Sequence, residues 1–440
     1  MNSRDIAISI LRTLHAAGHE AWLVGGCVRD ELRGAVPKDF DIATDARPEQ
    51  VEAIFPKTIG VGKSFGVMLV LEGGEQFEVA TFRAESGYTD GRRPDSVTFG
   101  DAEADALRRD FTINGLFLNP VTNELRDWVG GEADLKAGVL RTIGDPAERF
   151  GEDHLRLLRA VRFAAQLDFQ IEPATFAAVQ QHAENINRVS AERIRDELLK
   201  LFRPPHAARG LDLLRDSGLL AHVLPEMMLT IGCEQSPEYH PEGDVYKHIR
   251  LMLKTMAEGA PAELPWTILL HDIAKPATAS VGEDGRIHNY GHDKLGAEMA
   301  EVILVRLKFP RKQIDEIVFT VREHMHLAVA PKMRKAKLRR MLLRPTFELE
   351  LEQHRIDCLG SHAKLDIYNF LRAEQAALEE MPALIKPLVT GRDLIELGIK
   401  PGPPMGKLLN EIRDHQLAEE LSTREEALAW ATEAKEKTAQ

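Results

Sequence analysis

Apolar positions in the first twenty residues recur at helical spacing, Ile6, Ile8, Leu11 and Leu14 among them, and predict an amphipathic helix over 1–20. The period then changes. Ala21-Trp22-Leu23-Val24 is a short apolar run that breaks at Gly25-Gly26, predicting a strand, a glycine turn and a helix starting at Arg29. In Lys38-Asp39-Phe40-Asp41-Ile42-Ala43-Thr44, carboxylates alternate with apolar side chains. On a strand this alternation puts Asp39 and Asp41 on one face, and Phe40 and Ile42 on the other. A helix is expected over 48–55, and strands at 67–71 and 77–82 flank the hairpin turn Glu72-Gly73-Gly74-Glu75. Strands dominate as far as about residue 122. From about Asp145 onward helical spacing prevails, interrupted at Arg203-Pro204-Pro205, over 234–243 and at Lys400-Pro401-Gly402-Pro403-Pro404. The expected fold class is α+β: a small mixed α/β head followed by an elongated all-α remainder.

Composition adds bounds rather than chemistry. The chain has 440 residues, 44% hydrophobic and 28% charged, enough for several domains with buried cores. Cys27, Cys233 and Cys358 are too scattered for a CxxC site or a disulfide framework, as expected of a reduced, cytoplasmic protein. The start Met1-Asn2-Ser3-Arg4-Asp5 lacks a signal-peptide core, and no apolar run approaches membrane-spanning length, so no membrane partner is expected. A net charge of −13 argues mildly against nucleic acid. Binding depends on local clustering, however. Basic residues cluster at Arg156, Arg159 and Arg162, at Arg193, Arg195 and Lys200, and from Lys332 to Arg340. The last group fits a solvated helix face as well as a polyanion contact.

The N-terminal run carries the chemistry. Adjacent glycines let backbone approach a phosphate, and a helix start offers free N–H groups to an anion. Asp39 and Asp41 held side by side repel unless a cation lies between them, and a hard oxygen ligand set suits Mg²⁺. Either motif alone matches by chance. Within one strand–turn–helix–strand unit, with Arg29 and Lys38 adding positive charge, they form an apparatus for nucleotidyl transfer.

Gly25-Gly26-x-Val28-Arg29-Asp30-x-Leu32-x-Gly34 followed by Lys38-Asp39-Phe40-Asp41-Ile42-Ala43-Thr44 resembles the bacterial-type tRNA nucleotidyltransferases and poly(A) polymerases. The likeness continues through Phe77-Glu78-Val79-Ala80-Thr81-Phe82-Arg83, through Arg108-Arg109-Asp110-Phe111-Thr112-Ile113-Asn114-Gly115, and through Gly151-Glu152-Asp153-x-x-Arg156-x-x-Arg159-x-x-Arg162-Phe163. It covers about the first 200 residues in the family's order. The resemblance implies a catalytic nucleotidyltransferase head over 1–145, a helical neck for base recognition and RNA binding over 146–235, a helical body over 236–380 and a tRNA-binding tail over 381–440. It further implies CTP and ATP as substrates, the tRNA acceptor arm as partner and Mg²⁺ on Asp39 and Asp41. Glu78 is a candidate third carboxylate, or else an exposed strand residue. Gly26, Arg29 and Arg109 are implied as phosphate or sugar contacts; Arg108-Arg109-Asp110 on its own would also serve as a helix-capping cluster.

Asp153, Arg156, Arg159 and Arg162 follow i, i+3 steps on a predicted helix. A carboxylate beside a guanidinium presents acceptors and donors like a base edge, so such a pair could select C and A over U and G. An ordinary surface ion pair has the same spacing. The resemblance favours Asp153 and Arg156 as the base-reading pair. The segment 84–100, with Tyr88 to Pro94, resembles the family's flexible loop for switching from C to A addition, which disfavours a pure CC-adding enzyme. Val61-Gly62-Lys63-Ser64-Phe65-Gly66-Val67 looks more like the tRNA branch than the polymerase branch.

A second constellation lies in the middle of the chain. His248, His271-Asp272, His292 and His324 are dispersed donors that can coordinate first-row divalent metals. Their order resembles the HD-domain metal phosphohydrolases, which implies ligands at His248, His271, Asp272 and Asp357, with Asp366 as rival for the fourth. The implied metal is a transition ion of the Mn, Ni or Co type, and His292 and His324 could extend the site to a second one. Hydrogen-bonded structural histidines are the alternative, and the simpler one for His292, His324 and His326 taken singly. The expected activity is template-independent addition of CCA, or its terminal A, to tRNA, with an HD-domain phosphohydrolase activity for RNA-end repair. Rivals are an A-adding specialist, a poly(A) polymerase, and a metal phosphohydrolase whose head only binds nucleotide. A monomer and a homodimer are equally compatible with the sequence.

Overall fold

The computed structural model describes residues 2–86, 96–283 and 285–439, and the chain divides into two compact units, Met1–Pro225 and Glu226–Gln440. In the first unit a seven-stranded mixed sheet has the order β3-β4-β5-β2-β1-β8-β9. Its strands are β1 (Ala21–Val24), β2 (Asp41–Thr44), β3 (Thr58–Gly62), β4 (Val67–Glu72), β5 (Glu75–Thr81), β8 (Phe117–Asn119) and β9 (Glu124–Arg126). A separate two-stranded ribbon joins β6 (Arg83–Ser86) to β7 (Ser96–Phe99). The loop residues Tyr88 to Pro94 lie outside the described residues.

Local sequence accounts for much of this. Gly73 and Gly74 take φ of +61° and +85°, the left-handed geometry of a tight hairpin turn, and set β4 against β5 in antiparallel register. The N-terminal helix runs Ser3–Ala16, capped by Asn2, and buries Ile6, Ile10, Leu11 and Leu14. Two expected elements differ in extent. The helix after the glycine turn begins at Gly26 rather than Arg29, because Gly25 takes φ +71° and its carbonyl already accepts from Arg29 N–H. Strand β2 begins at Asp41, so Asp39 lies in the lead-in segment, exposed, while Phe40 and Ile42 are buried as the alternation requires.

Beyond the sheet the first unit is helical, chiefly Pro146–Glu152, Leu155–Leu167, Pro173–His182, Ala191–Leu201 and Ala207–Asp216. Leu155–Leu167 packs on Ala191–Leu201 and buries Leu157, Leu158, Val161 and Ala164. Asp153 is not on the helix that carries the three arginines. It caps the end of Pro146–Glu152 in an extended conformation. The second unit is helical throughout apart from one small hairpin, Ser280–Val281 with Ile287–His288. Half of the basic run from Lys332 to Arg340, three residues of six, is structural. Lys335 pairs with Glu419, Arg339 donates to the Leu417 carbonyl and Arg340 pairs with Asp414, which ties the helix Lys335–Leu342 to Pro403–Leu417. No helix among the described residues is long and apolar enough to cross a membrane.

Candidate functional site

In the first unit, all nine residues singled out for catalysis or nucleotide binding line one cavity of about 630 Å³. Antiparallel pairing of Val24 with Asp41 brings the glycine turn against the carboxylate. A Cβ at Gly25 would lie 3.1 Å from Arg109 Nη1 and 4.0 Å from Asp41 Oδ2, so a side chain there would push the Arg109 guanidinium back by a few tenths of an ångström, and the φ of +71° itself favours glycine. Parallel pairing of β2 with β5, Ile42 opposite Val79, sets Glu78 beside Asp41. Burial, Glu78 and then Asp39 push the Asp41 carboxyl up to about 6, while Arg109 works the other way. A half-buried carboxylate crowded by two others is a donor set that a divalent cation relieves, so these residues fit Mg²⁺.

The arginines are held rather than loose. Arg29 is buried; its Nη1 donates to Asn114 Oδ1 at 2.8 Å and its guanidinium lies 5.3 Å from the Phe163 ring centre. Asp105, fully buried, accepts from Arg108 at 2.6 Å and from Arg109 at 2.8 Å. Opposing burial, the two guanidiniums hold its carboxyl below the usual range. Asp110 accepts from Asn114 and, at 2.5 Å, from Arg159. Arg159 and Arg162 both face Phe163, and Arg162 pairs with buried Glu197.

Asp153 and Arg156 line the same cavity but are not paired with each other. Asp153 Oδ2 accepts from Arg193 Nη2 at 2.8 Å and Oδ1 from the Leu155 N–H at 3.0 Å. Arg156 donates to Glu152, to the Arg149 carbonyl and to the Arg108 carbonyl. The break between the two helices explains the exchange of partners, since it turns Asp153 toward Ala191–Leu201. Sequence reasoning missed Asp105; its i, i+3 and i, i+4 spacing to Arg108 and Arg109 was the available signal.

The second unit holds the other cluster, in a cavity of about 510 Å³. His271 Nδ1 lies 2.8 Å from the Ile268 carbonyl, His292 Nδ1 2.7 Å from that of Asn289, and His324 Nδ1 2.6 Å from that of Val321. A carbonyl can only accept, so each ring carries its proton on Nδ1 and presents an Nε2 lone pair. His248 differs: its Nδ1 lies 2.6 Å from Glu242 Oε1 and its Nε2 3.1 Å from Asp357 Oδ1. Opposing burial, the two carboxylates push it up to about 9, so a metal at Nε2 would have to displace a proton. The four Nε2 atoms and two carboxylates fall into two groups: His248, His271 and Asp357, and Asp272, His292 and His324. Asp272 Oδ2 is 3.1 Å from His271 Nε2 and its Oδ1 is 3.4 Å from His292 Nε2, so this carboxylate borders both groups. His248 Nε2, His271 Nε2 and Asp272 Oδ2 are buried without a well-formed hydrogen bond, and the Lys275 ammonium lies 2.7 Å from Asp272 Oδ2 as its ion-pair partner. Burial and His271 push His324 down to about 4, which keeps it neutral and able to ligate. Such a donor set fits first-row divalent metal. Asp357 lies 3.1 Å from His248 Nε2 and lines the cavity, whereas Asp366 starts the next helix away from it. His326 is half exposed beside Glu323 and joins neither group. Glu242 was missed because it lies in the turn before the helix Val245–Thr255 that carries His248, where no side-chain period applies.

A mixed α/β head with a glycine turn, paired carboxylates and an arginine-lined cavity defines a nucleotidyltransferase. Residues 21–141 match the Poly A polymerase head domain, 168–229 the "Probable RNA and SrmB- binding site of polymerase A", and 294–431 the tRNA nucleotidyltransferase domain 2. The chain is 33% identical over 434 residues to the CCA-adding enzyme of Levilactobacillus brevis, covering 97% of both chains. Identity to that of Streptococcus mutans is 32% over 431 residues, 96% of this chain and 95% of that one. The crystal structure of the Bacillus stearothermophilus CCA-adding enzyme in complex with CTP aligns with a TM-score of 0.72 at 29% identity, covering 100% of this chain and 99% of that one. The chain belongs to the CCA-adding enzymes, a family of class II tRNA nucleotidyltransferases.

Proposed function

We propose that this enzyme adds CCA to the 3′ end of tRNA from CTP and ATP without a nucleic-acid template. The observation that carries this reading is the convergence of the carboxylates, the glycine turn and the arginine wall on one cavity, in a chain of this family. In our reading Asp39 and Asp41 hold Mg²⁺, with Glu78 as a third carboxylate beside them. Bound there, the ion supplies charge neutralisation for the triphosphate and the attacking hydroxyl. Gly26, Arg29 and Arg109 receive phosphates, and the buried pairing of Arg109 with Asp105 keeps its guanidinium oriented before substrate arrives. Asp153 and Arg156 read the base edge, each from its own hydrogen-bond frame rather than as a mutual pair. Arg159 and Arg162, neutralised by Asp110 and Glu197, form with Phe163 the wall against which the nucleotide rests. The four-part division at 145, 235 and 380 is likewise a proposal; matches over 21–141 and 168–229 fit the boundaries at 145 and 235, whereas the match over 294–431 runs across 380 and gives that boundary no support.

The test uses tRNA transcripts ending at the discriminator base, after one C, and after CC, each given CTP, ATP or both with Mg²⁺. Addition of CCA to the shortest transcript and then a stop is the expected result, abolished by Asp41→Asn. Extension of only the CC-ended transcript by one A would mark an A-adding specialist, and a long A tail a polymerase.

A second reading concerns the body. The convergence of the Nε2 atoms of four histidines on the buried Asp272 and on Asp357 supports a metal phosphohydrolase site of the HD type. His248, His271, Asp272 and Asp357 would hold a first ion of the Mn, Ni or Co type, and Asp272, His292 and His324 a second. Such an ion supplies an acidified water and a Lewis acid for a phosphate ester. His271→Ala/Asp272→Ala should abolish metal-dependent hydrolysis of a 2′,3′-cyclic phosphate and leave CCA addition intact; unchanged hydrolysis would sink this reading.

A further inference from the structure

The body cavity that contains the metal-ligand cluster is lined on one side by aromatic rings that the fold leaves bare. Tyr290 follows the hairpin Ser280–Val281/Ile287–His288, is 79% exposed and stacks on His288 with ring centres 5.1 Å apart and planes 8° from parallel. The His288 ring fixes the orientation of the Tyr290 ring while the second face of Tyr290 stays open. Tyr239, from the loop before His240, and Met325 are also about half exposed and line the same cavity. Between the rings and the cluster lies Asn289, whose side-chain oxygen is buried without a partner while its backbone carbonyl orients His292. A chain that exposes few of its aromatics gains nothing in stability from holding two tyrosines at the mouth of a polar cavity.

We propose that Tyr290, backed by His288, is a base-stacking platform, so that the phosphate esters taken by this cavity are those of nucleosides rather than of simple alcohols. The inference rests on the phosphohydrolase reading of the cluster. In that reading one ring P–O bond of a nucleoside 2′,3′-cyclic phosphate breaks and its oxygen takes a proton. The oxygen of water becomes bound to phosphorus, and no oxidant or reductant is needed. Stacking against an open aromatic face is indifferent to base identity, so no strong preference among the four bases is expected. A free mononucleotide and an RNA 3′ end carry the same terminal chemistry. Comparing 2′,3′-cyclic AMP with a tRNA ending in a 2′,3′-cyclic phosphate tells the two sources apart by their kcat/KM.

The deciding experiment measures full-length enzyme with Mn²⁺, Ni²⁺ or Co²⁺ on 2′,3′-cyclic AMP and on glycerol 1,2-cyclic phosphate, which has the strained ring but no base. Tyr290→Ala should raise KM for the nucleotide about tenfold, leave glycerol 1,2-cyclic phosphate unchanged and be rescued by Tyr290→Phe. Equal loss on both substrates, or no loss on the nucleotide, would overturn the platform. Should the wild type hydrolyse neither substrate, the phosphohydrolase reading fails instead. Equilibrium binding of AMP to a protein whose head is disabled by Asp153→Ala/Arg156→Ala, with and without Tyr290→Ala, then decides: a tenfold weakening by Tyr290→Ala supports the platform, and equal binding removes it.

Discussion

Asp41 concentrates the head's chemistry in one side chain. Its carboxyl is raised from 3.8 to about 6 by burial and by Glu78, so between these values the folded protein binds a proton that the unfolded chain has lost. Stability contributed by this group therefore falls as pH rises from about 4 to about 6, the reverse of an ion-paired carboxylate. A cation bound to the ionised form restores what is lost. The Mg²⁺-induced rise in Tm should consequently be larger at pH 7 than at pH 5, and Asp41→Asn should erase that difference. Thermal melts with and without Mg²⁺ measure it, and an equal Mg²⁺ effect at both pH values would show that Asp41 does not meet the metal. Gly25 limits the same spot from the other side. Its φ of +71° strains any side chain there, and a Cβ 3.1 Å from Arg109 Nη1 would shift that guanidinium by a few tenths of an ångström.

Elements explain which of these features could be read in advance. The β4–β5 hairpin was legible because its turn glycines and alternating flanks are local signals. Glu78 was left undecided because its place beside Asp41 follows from parallel pairing of β2 with β5, across some thirty-five residues of chain, which no short-range pattern encodes. Asp153 carried a helical period past a helix boundary, and the structure gave it Arg193 instead of Arg156. In the body the metal-type donors were legible as residue types in order, yet Glu242 was not, because a loop supplies it. Asp105, on the helix Ala102–Leu107, is a positioning residue for Arg108 and Arg109. Asp105→Asn leaves two guanidiniums without their buried charge partner and should cost roughly 3–5 kcal/mol of stability. KM for CTP and ATP should rise together while the order of C and A addition is kept, because Arg109 is read here as a phosphate ligand. A change in base choice, measured by single-nucleotide product analysis, would move Asp105 and its arginines into base recognition.

At the scale of the whole molecule, charge and partner seem opposed: the chain carries −13, and its family acts on a polyanion. The head cavity resolves the conflict locally. Its lining includes eight arginine or lysine side chains against four aspartates, and Asp110 and Asp153 are already committed to Arg159 and Arg193. By contrast, three of the six cations in the longest basic run are held by the tail, so we read the small cationic pocket of the head as the main polyanion contact. Such a surface holds RNA through few phosphates, and each displaced phosphate counterion adds about 0.9 to the slope of log affinity against log salt for a duplex. With about three such contacts, raising salt from 50 to 200 mM should weaken tRNA affinity by about one to two orders of magnitude, less than for a strongly basic RNA-binding protein. Lys200→Ala, a half-exposed cation of the cavity lining, should make the slope shallower by close to one contact, whereas Lys335→Ala should leave it unchanged because that ammonium already faces Glu419. A filter-binding titration across salt gives both slopes. If Lys335→Ala lowered the slope as much as Lys200→Ala, the basic run would be gripping RNA and its pairing with the tail would be a resting arrangement only.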